Sequence, residues 1–500
     1  MKNHRIRQPD IVSGRSLDCV LTGAVITLKA ISLRSALSFL LCASCVSACS
    51  SLPKIVPDLA RSRTANALTL QLEGARGPLS AAQSKAILDR LRARSPQTDI
   101  FDRHLAVEES IVGSPLTTGN KVTLLQDGPA TYQSMLTAIS AARDHINMET
   151  YILDDDEVGR SFAQTLIAKQ QQGVQVNLIH DSAGTLGTPP SFFKRLTDAG
   201  VRVLEYNPIN PLLARKEWQL NQRDHRKLLI VDGTTAFLGG INISSVYSGG
   251  SFGQAAKVRQ RSAPTADSID TLAWRDTDLR LQGPVVAEFQ KLFLETWKSQ
   301  KGEPLAPKDW FPTPLTSGRQ VVRAIGSSPE EPYSLIYATL LSAIASAETS
   351  VNLTNAYFVP DPQMLAALEA ASRRGVAVKL ILPSQTDSWL VLYAGHHYYE
   401  PLLRAGVKIY ERRGVILHSK TVLIDGVWAT IGSTNMDWRS FLHNRELNAV
   451  VLGAEFGSQV QAMFNKDLAE SDAITLEHWQ NRPAASRVKE LFAQLWAYWL

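Results

Sequence analysis

The feature that most constrains this 500-residue chain is an internal duplication. Each copy consists of a histidine, a lysine two residues later, an aspartate, a turn of small residues and an asparagine, and the two copies keep one constant offset. A long-period repeat of this kind predicts two similar structural units. The members are His225, Lys227, Asp232, Gly239, Gly240 and Asn242 in the first copy, and His418, Lys420, Asp425, Gly432, Ser433 and Asn435 in the second.

The segments before each motif are repeated as well. In both halves an apolar segment is followed by a helical pattern, by an apolar run that begins with glycine, and by a short Ala-Gly-Val segment. Short β-branched runs predict buried strands. The chain is therefore predicted to have an α/β fold of two halves, each a mixed sheet flanked by helices. The paired segments are residues 146–152 and 351–358, 173–179 and 375–381, and 199–203 and 405–409.

Chain length and proline positions predict how the chain is divided. A chain of 500 residues exceeds one ordinary hydrophobic core, and four prolines between residues 304 and 314 mark a linker between the halves. A helical pattern at Ser80–Arg94 carries no recognisable chemistry. The predicted segments are a signal sequence at 1–48, an N-terminal extension at 49–119, the first half at 120–303, the linker at 304–318 and the second half at 319–500.

Two irregular segments are predicted to lie at the entrance to a site. The first half has extra residues around Asn207–Pro211 that the second half lacks. Residues Tyr247–Ala273 are rich in Gly, Ser, Gln and Ala and show no periodicity. Because long aperiodic loops are either functional or disordered, a lid over the site and a solvated loop both remain open.

The N-terminus resembles an export signal. Residues 1–48 contain a basic flank, a short apolar stretch and small residues, the order typical of a cleaved signal sequence. Val46-Ser47-Ala48-Cys49 resembles a bacterial lipobox, which implies lipidation of Cys49, and Ser50 resembles a signal for the outer membrane with the globular part in the periplasm. An uncleaved anchor helix or a misassigned start are the alternatives. All four cysteines lie in the first 49 residues, so no disulfide framework is predicted for the globular part.

The motif residues have the chemistry of a phosphate pocket. Segments 226–231 and 419–424 predict strands that begin at each histidine. On a strand each histidine and its lysine share a face, whereas Asp232 and Asp425, at an odd offset, face elsewhere and are expected to be structural. Lysine supplies a charge, asparagine a donor, and neutral imidazole a nucleophile or proton carrier. The residues predicted to contact phosphate are His225, Lys227, Asn242, His418, Lys420, Ser433 and Asn435.

With the spacing His-x-Lys-x4-Asp-x6-Gly-Ser/Gly-x-Asn, both motifs resemble the signature of the phospholipase D superfamily, and within it the bacterial cardiolipin synthases. The resemblance covers about residues 120–500. It implies two halves that face each other across a pseudo-twofold axis and bring His225 and His418 into one pocket. It also groups the aspartates of both motifs with the catalytic residues, and it implies that no metal or other cofactor is needed.

The resemblance further implies a role for each residue. His225 is the expected nucleophile, which forms a phosphohistidine, and His418 is the expected acid and later base. Asp276 and Glu446 match the family's carboxylates that orient the histidines. A buried carboxylate of this kind fixes the tautomer and stabilises the imidazolium. Gly240 departs from the serine that many members have, so fewer donors are expected in the first half.

The implied substrates are membrane phospholipids, with phosphatidylglycerol as the expected donor. Transfer to a second phosphatidylglycerol gives cardiolipin, whereas transfer to water gives phosphatidic acid. A cardiolipin synthase, a phospholipase D hydrolase and a periplasmic nuclease therefore all remain open. An inactive lipid-binding scaffold is disfavoured, because both sets of His, Lys and Asn are intact.

Net charge disfavours nucleic acid as a partner. The formal net charge is +5, and six Lys or Arg against two Asp in residues 1–48 account for most of it. A strongly basic footprint, the usual sign of nucleic-acid binding, is therefore missing at the level of net charge.

Two patterns near the C-terminus have competing interpretations. His396 and His397 are adjacent, and adjacent residues on a helix face different directions, which disfavours a metal site. The last residues form an apolar stripe that either packs on the core or lies in an interface. The stripe consists of Phe492, Leu495, Trp496, Trp499 and Leu500.

Overall fold

The repeated segments form strands in the same spatial order in both halves. The computed structural model describes residues 70–210, 219–249 and 272–500. The predicted signal sequence, Cys49, most of the predicted lid and residues 211–218 lie outside the described residues. Strands up to the linker are β1 (Leu72–Gly74), β2 (Gly77–Pro78), β3 (Leu116–Gln126), β4 (His145–Thr150), β5 (Gln175–Asp181), β6 (Arg202–Tyr206), β7 (Arg223–Asp224), β8 (Leu228–Val231), β9 (Thr235–Gly239), β10 (Trp274–Arg275) and β11 (Thr277–Gln282).

The second half repeats this arrangement. Its strands are β12 (Gln320–Ser327), β13 (Ser350–Asn355), β14 (Phe358–Val359), β15 (Ala377–Pro383), β16 (Lys408–Arg412), β17 (Ile416–Leu417), β18 (Lys420–Ile424), β19 (Trp428–Gly432), β20 (Met436–Asp437), β21 (Asn444–Leu452) and β22 (Ser471–Ile474). The strand order is β6-β5-β4-β8-β9-β11-β3 in the first half and β16-β15-β13-β18-β19-β21-β12 in the second. Antiparallel pairing of β3 with β12 joins the two sheets. The predicted α/β fold with mixed sheets is confirmed.

Helices flank these sheets. The predicted helix at Ser80–Arg94 is present, and the Ser80 side chain caps it by accepting a hydrogen bond from the N–H of Gln83. The α-helices are α1 (Ala81–Ala93), α2 (Ile100–Arg103), α3 (Leu105–Ile111), α4 (Gly128–Ala141), α5 (Glu157–Gln171), α6 (Pro190–Asp198), α7 (Val286–Ser299), α8 (Leu335–Ser346), α9 (Pro362–Arg373), α10 (Trp389–His396), α11 (Tyr399–Arg404), α12 (Trp438–Leu442), α13 (Ala454–Ala469), α14 (Leu476–Gln480) and α15 (Ala484–Gln494).

Four repeated glycines end the helices that lead back into the sheets. Gly173, Gly200, Gly375 and Gly406 have φ values of 89°, 91°, 96° and 94°. This left-handed region is open to glycine at little cost, and glycine is the commonest residue just past a helix end. Each of these four glycines therefore ends a helix. This is a structural reason for glycine at the matching positions of both halves.

The two halves share one apolar core. Phe289 and Phe293 of α7 and Phe456 and Val460 of α13 are at most 2% exposed, and they belong to one cluster with strands of both sheets. Burial of one such side chain contributes about 1.5–3 kcal/mol relative to exposure. These two helices therefore fix the sheets against each other, and this sets the relative position of the two motifs.

The N-terminal extension packs on the second half. Glu108 of α3 accepts a hydrogen bond from Nε1 of Trp428 at 3.1 Å and lies 3.1 Å from Nε of Arg323. The sheet of the first half begins with β3 at Leu116, slightly before residue 120. Residues 302–318, which include the predicted linker, form no helix or strand. The extension, whose role the sequence left open, is thus a brace for β12 and β19.

Candidate active site

Strands that cross between the halves hold the motif histidines. β7, just before His225, pairs in parallel with the start of β21, and β17, just before His418, pairs in parallel with β10. The backbone N–H of His225 donates to the carbonyl of Arg445 at 3.0 Å, and that of His418 to the carbonyl of Arg275 at 2.8 Å. Each histidine is therefore attached to the other half, and the two motifs meet in one site.

Each histidine also contacts a carboxylate from the other half. Nδ1 of His225 lies 3.1 Å from both carboxylate oxygens of Glu446. Nδ1 of His418 lies 2.7 Å from Oδ2 of Asp276. With Nδ1 facing a carboxylate, each ring is left with Nε2 for chemistry. The sequence predicted both carboxylates but not which histidine each one contacts, because strand pairing between distant segments decides it.

The motif lysines are buried beside the histidines. Nζ of Lys227 donates to the carbonyl oxygen of His225 at 2.6 Å, and Nζ of Lys420 donates to the carbonyl oxygen of His418. Lys227 also lies over the ring of Tyr151, with Nζ 5.1 Å from the ring centroid. The strands predicted to begin at each histidine begin slightly later, at Leu228 and at Lys420, so His225, Lys227 and His418 lie in the short connections before them.

Burial shifts the pKa values of these groups toward their neutral forms. It lowers the pKa of Lys227 to about 7 and that of Lys420 to about 8. Burial also lowers the pKa of His225 well below its usual value, and the charges of the two lysines act in the same direction. Burial raises the pKa of Glu446 to about 7, although Lys227 opposes the shift. These shifts favour the neutral form of His225, and neutral imidazole is the form that can act as a nucleophile.

The turns after β9 and β19 carry the other residues predicted to bind phosphate. Asn242 is buried, and its Nδ2 donates to the hydroxyl of Tyr247 at 3.1 Å. Asn435 is buried in the equivalent turn. The hydroxyl of Ser433 donates to Oε2 of Glu446. Ser433 thus fixes the carboxylate that contacts His225, a role that the sequence did not predict.

Gly240 and Ser433 occupy equivalent positions but have different neighbours. A Cβ at Gly240 would lie 2.3 Å from Oδ1 of Asp276, too close for any side chain in this conformation. In the second half the longer Glu446 leaves space for the serine hydroxyl. With Asp276 in this conformation, only glycine fits at position 240.

Asp232 and Asp425 lie at the far end of their strands from the histidines. Asp232 accepts hydrogen bonds from the N–H groups of residues 143, 144 and 145, and Asp425 from those of residues 348, 349 and 350, all between 2.8 and 3.2 Å. At about 3.3 Å per extended residue, an offset of seven residues is at most roughly 23 Å. The carboxylates do not reach the pocket. The resemblance groups Asp232 and Asp425 with the catalytic residues. Their contacts in the structure are with backbone N–H groups, so their role in the site is to anchor the strands.

Aromatic side chains line the site. The ring of Tyr151 lies edge-on to His225 at 5.2 Å, and that of Tyr357 edge-on to His418 at 6.1 Å. Both tyrosines occupy matching positions in the repeated segments before the motifs, so the internal alignment contained a signal for them. The hydroxyl of Tyr247 lies 3.2 Å from Nδ1 of His418. Tyr247 has no counterpart in the repeat, and the sequence marked it only as the first residue of the aperiodic segment Tyr247–Ala273.

Arg439 is a further cation near the site that the sequence did not single out. It lies in α12 and is partly buried, and its Nη1 donates to Oδ1 of Asn221 at 3.1 Å. Its charge contributes to the lowered pKa of His225. The neighbouring Trp438 is 4% exposed and packs against Tyr498, with 5.9 Å between ring centroids.

The adjacent histidines of α10 do not converge. Nε2 of His396 lies 3.3 Å from Oε1 of Glu411, whereas His397 is exposed. Across residues 70–210, 219–249 and 272–500, no group of three or more His, Cys, Asp or Glu side chains has an arrangement that could hold a metal ion.

Comparisons with known proteins agree with this geometry. Residues 135–250 and 340–468, which include one motif each, match the family described as "Cardiolipin synthase, PLD-like domain". A cardiolipin synthase of Geobacillus kaustophilus is 33% identical over 386 residues, which are 76% of this chain and 72% of that protein. The chain belongs to the cardiolipin synthase family. Cardiolipin synthase 2 of Bacillus anthracis is 34% identical over 371 residues, 73% of this chain and 68% of that protein.

The fold is shared beyond the cardiolipin synthase family. A phosphatidylserine synthase of Haemophilus influenzae superposes with a TM-score of 0.54 at 11% identity, and covers 78% of this chain and 98% of its own. The resemblance to the phospholipase D superfamily is thus confirmed in sequence and in fold. In the parts of the chain that the structure describes, no helix combines the length and the apolar character needed to cross a membrane.

Proposed function

We propose that the protein is a phosphatidyltransferase that makes cardiolipin from phosphatidylglycerol and a second phospholipid through a phosphohistidine. The observation that carries this proposal is the crossed contact of each motif histidine with a carboxylate of the other half, beside two buried lysines. One imidazole is available to attack, the other to carry a proton, and two cations to hold a phosphate. Family membership supports phospholipids as the substrate class.

In the first proposed step, Nε2 of His225 attacks the phosphorus of phosphatidylglycerol. A P–N bond forms while the P–O bond to the glycerol headgroup breaks, and His418 gives its proton to the departing glycerol oxygen. Burial lowers the pKa of His418, but Asp276 opposes this shift, and a bound phosphate anion favours the imidazolium further. The products of this step are phosphatidyl-His225 and free glycerol.

In the second proposed step, neutral His418 removes a proton from a hydroxyl of the second phosphatidylglycerol. The oxygen attacks the phosphorus as the P–N bond breaks, and cardiolipin leaves. His225 returns to its neutral form, and His418 is protonated for the next cycle. Water in place of the second lipid would give phosphatidic acid, so exclusion of water decides between transfer and hydrolysis.

The lysines and asparagines are proposed to stabilise the charge of the transition state. Negative charge grows on the non-bridging phosphate oxygens, and preorganised donors in a buried site stabilise that charge more strongly than water does. Lys227 and Lys420 supply the cations, and Asn242 and Asn435 supply amide donors. Ser433 acts through Glu446 rather than on the phosphate.

We further propose that Cys49 is lipidated and that it tethers the enzyme to the outer membrane, facing the periplasm. An enzyme that consumes phospholipids works at a membrane surface, and the lipobox-like Val46–Cys49 segment is the sequence support. Labelling of cells with radioactive palmitate tests this. The label is expected on the parent protein and on the control Cys42→Ser, and it is expected to be lost from Cys49→Ser. Retained label on Cys49→Ser would contradict the proposal.

The activity is tested with purified full-length protein and phosphatidylglycerol that carries different labels in its acyl chains and headgroup. Cardiolipin and free glycerol are the expected products. Phosphatidic acid as the sole lipid product would identify a hydrolase instead. Cleavage of labelled DNA with phosphatidylglycerol left intact would identify a nuclease.

The phosphohistidine is tested by substitution. His225→Ala is expected to lower turnover by about 10⁴-fold or more, because the attacking atom is lost. His397→Ala is the matched control, since His397 is exposed and lies outside the site. Full turnover by His225→Ala would refute the covalent scheme.

A further inference from the structure

The last helix of the chain presents its large apolar side chains to solvent. In α15 and the residues after it, six of them recur at helical spacing, and their exposed fractions run from 40 to 66%. An amphipathic helix of a soluble protein normally turns such a stripe toward the core. The inward face here consists of Glu490, Ala493 and Ala497, each at most 6% exposed. The outward residues, called the C-terminal stripe below, are Val488, Leu491, Phe492, Leu495, Trp496 and Trp499.

Specific contacts fix the helix in this orientation. Glu490 accepts from the guanidinium of Arg482 through two hydrogen bonds of 2.7 Å each. The ring of Phe492 stacks on Trp389 of α10, with 6.3 Å between centroids and 15° between planes. Trp389 is itself 54% exposed, so it extends the apolar surface. For Phe492, Leu495, Trp496 and Trp499 the sequence left open whether they pack on the core or lie in an interface, and the structure leaves these side chains 40–51% exposed.

The C-terminal stripe lies beside the candidate active site. Trp389 begins α10 two residues after Asp387, whose Oδ1 accepts a hydrogen bond from the hydroxyl of Tyr357 at 2.7 Å. Tyr357 is one of the tyrosines of the site. At the other end of the stripe, the carbonyl of Leu500 accepts from the N–H of Arg439 at 3.1 Å. The chain next to this apolar surface is therefore hydrogen-bonded to Tyr357 at one end and to Arg439 at the other.

The exposed charge of α15 is positive. Arg487 and Lys489 are exposed, and Nζ of Lys489 lies 5.0 Å from the ring centroid of Tyr393. The acidic residue of the helix, Glu490, is buried against Arg482. Aliphatic and aromatic residues on one face with basic residues beside them are typical of helices that lie in the interface of an anionic bilayer.

We propose that the C-terminal stripe and Trp389 dock the enzyme on an anionic lipid bilayer, so that the opening of the active site faces the lipid. This inference rests on the proposed function, because it takes a membrane phospholipid as the substrate. The phosphate of such a lipid has to reach histidines that are buried. A docking surface next to the site shortens the distance by which the lipid must move out of the bilayer.

The test compares two substrates and two surface variants of the full-length protein. The stripe variant is Leu491→Ser/Phe492→Ser/Leu495→Ser, and the matched control is Phe311→Ser/Leu315→Ser, whose side chains are 47% and 73% exposed outside the stripe. Phosphatidylglycerol is supplied in vesicles and, with short acyl chains, as dissolved monomers. The stripe variant is expected to lose about tenfold turnover on vesicles and none on monomers, because only the first requires docking. The control is expected to match the parent on both.

Tryptophan fluorescence separates this inference from the proposed function. The stripe variant keeps Trp389, Trp496 and Trp499, so quenching by brominated phosphatidylglycerol in vesicles reports their depth whether or not the protein is active. Quenching is expected in the parent and is expected to be lost in the variant. Equal quenching in both proteins, or equal loss of turnover on both substrates, would overturn the docking surface. A parent dimer that the variant converts to a monomer, with vesicle turnover retained, would show that the stripe binds a second copy instead.

Discussion

Gly240 and Asp276 share a space that admits only one side chain, since a Cβ on Gly240 would lie 2.3 Å from Oδ1 of Asp276. In the other half the equivalent pair is Ser433 with Glu446, which are joined by a hydrogen bond. The equivalent turns therefore differ: in the second half a serine bonds to the carboxylate, and in the first half a glycine leaves room for it.

Gly240→Ser is expected to reduce activity, although the equivalent position of the second half is Ser433. The new side chain would displace Asp276 from Nδ1 of His418, and a small misplacement of a catalytic group costs about 10- to 100-fold in kcat. Steady-state turnover of phosphatidylglycerol measures the effect. Gly113→Ser is the control, since a Cβ there meets nothing within 4 Å. Wild-type kcat in Gly240→Ser would mean that Asp276 moves aside without consequence.

Glu446→Gln is expected to lower kcat by about 10²- to 10⁴-fold with little change in stability. Glutamine keeps the shape of the side chain but loses the charge that stabilises a charged imidazole and selects its tautomer. Because burial raises the pKa of Glu446 to about 7, the parent enzyme is expected to lose kcat as the pH falls below that value. A pH profile of both proteins is the measurement. The exposed Glu303→Gln serves as control, and an unchanged kcat in Glu446→Gln would remove Glu446 from the mechanism.

Titration of the two lysines is expected to produce an alkaline limb in the pH profile of kcat/KM. In the free enzyme the pKa of Lys227 is about 7 and that of Lys420 about 8, so raising the pH through this range removes the cations that bind an anionic phosphate. The sign is a fall in kcat/KM with rising pH, at most about tenfold per pH unit for each lysine. Bound phosphate raises both pKa values, so kcat is expected to hold to a higher pH than kcat/KM. An arginine at position 420 stays charged throughout this pH range. The pH profile of kcat/KM for Lys420→Arg is therefore expected to lack the fall that titration of Lys420 causes.

Asp425→Ala is expected to destabilise the fold more than Asp232→Ala, with kcat of the folded protein changed only a few-fold. Both carboxylates accept backbone hydrogen bonds, but Asp425 also accepts one from the hydroxyl of Thr98 at 2.6 Å and is only 3% exposed. Loss of several charge-assisted hydrogen bonds costs about 2–5 kcal/mol. Urea unfolding and turnover below the midpoint measure the two effects separately. A large fall in kcat without loss of stability would return these residues to the catalytic set.

Local patterns predicted the elements of this fold well. The segments after His225 and His418 form β8 and β18, and the repeated glycines stop the helices where the alignment placed them. Period and turn chemistry decide such elements within a few residues of sequence. The internal repeat then predicted that the two halves would be alike.

The sequence could not predict relationships that depend on strands meeting from distant positions. The crossing of β7 with β21 pairs His225 with Glu446 rather than with the carboxylate of its own half. Tyr247 and Arg439 approach the histidines only after both halves have packed together, and neither lies in a repeated position. Prediction of the steric conflict at Gly240 likewise requires knowledge of where Asp276 lies, and Asp276 is outside the repeated motif.

The crossed contacts also constrain how the two copies of the motif can change after a duplication. A substitution at Asp276 acts on the histidine of the second copy, and one at Glu446 acts on the histidine of the first. The two copies therefore cannot change independently, because a substitution of the carboxylate in one copy removes the partner of the histidine in the other. The same reciprocity allows specialisation, since an aspartate in one half and a glutamate in the other give two identical imidazoles different partners.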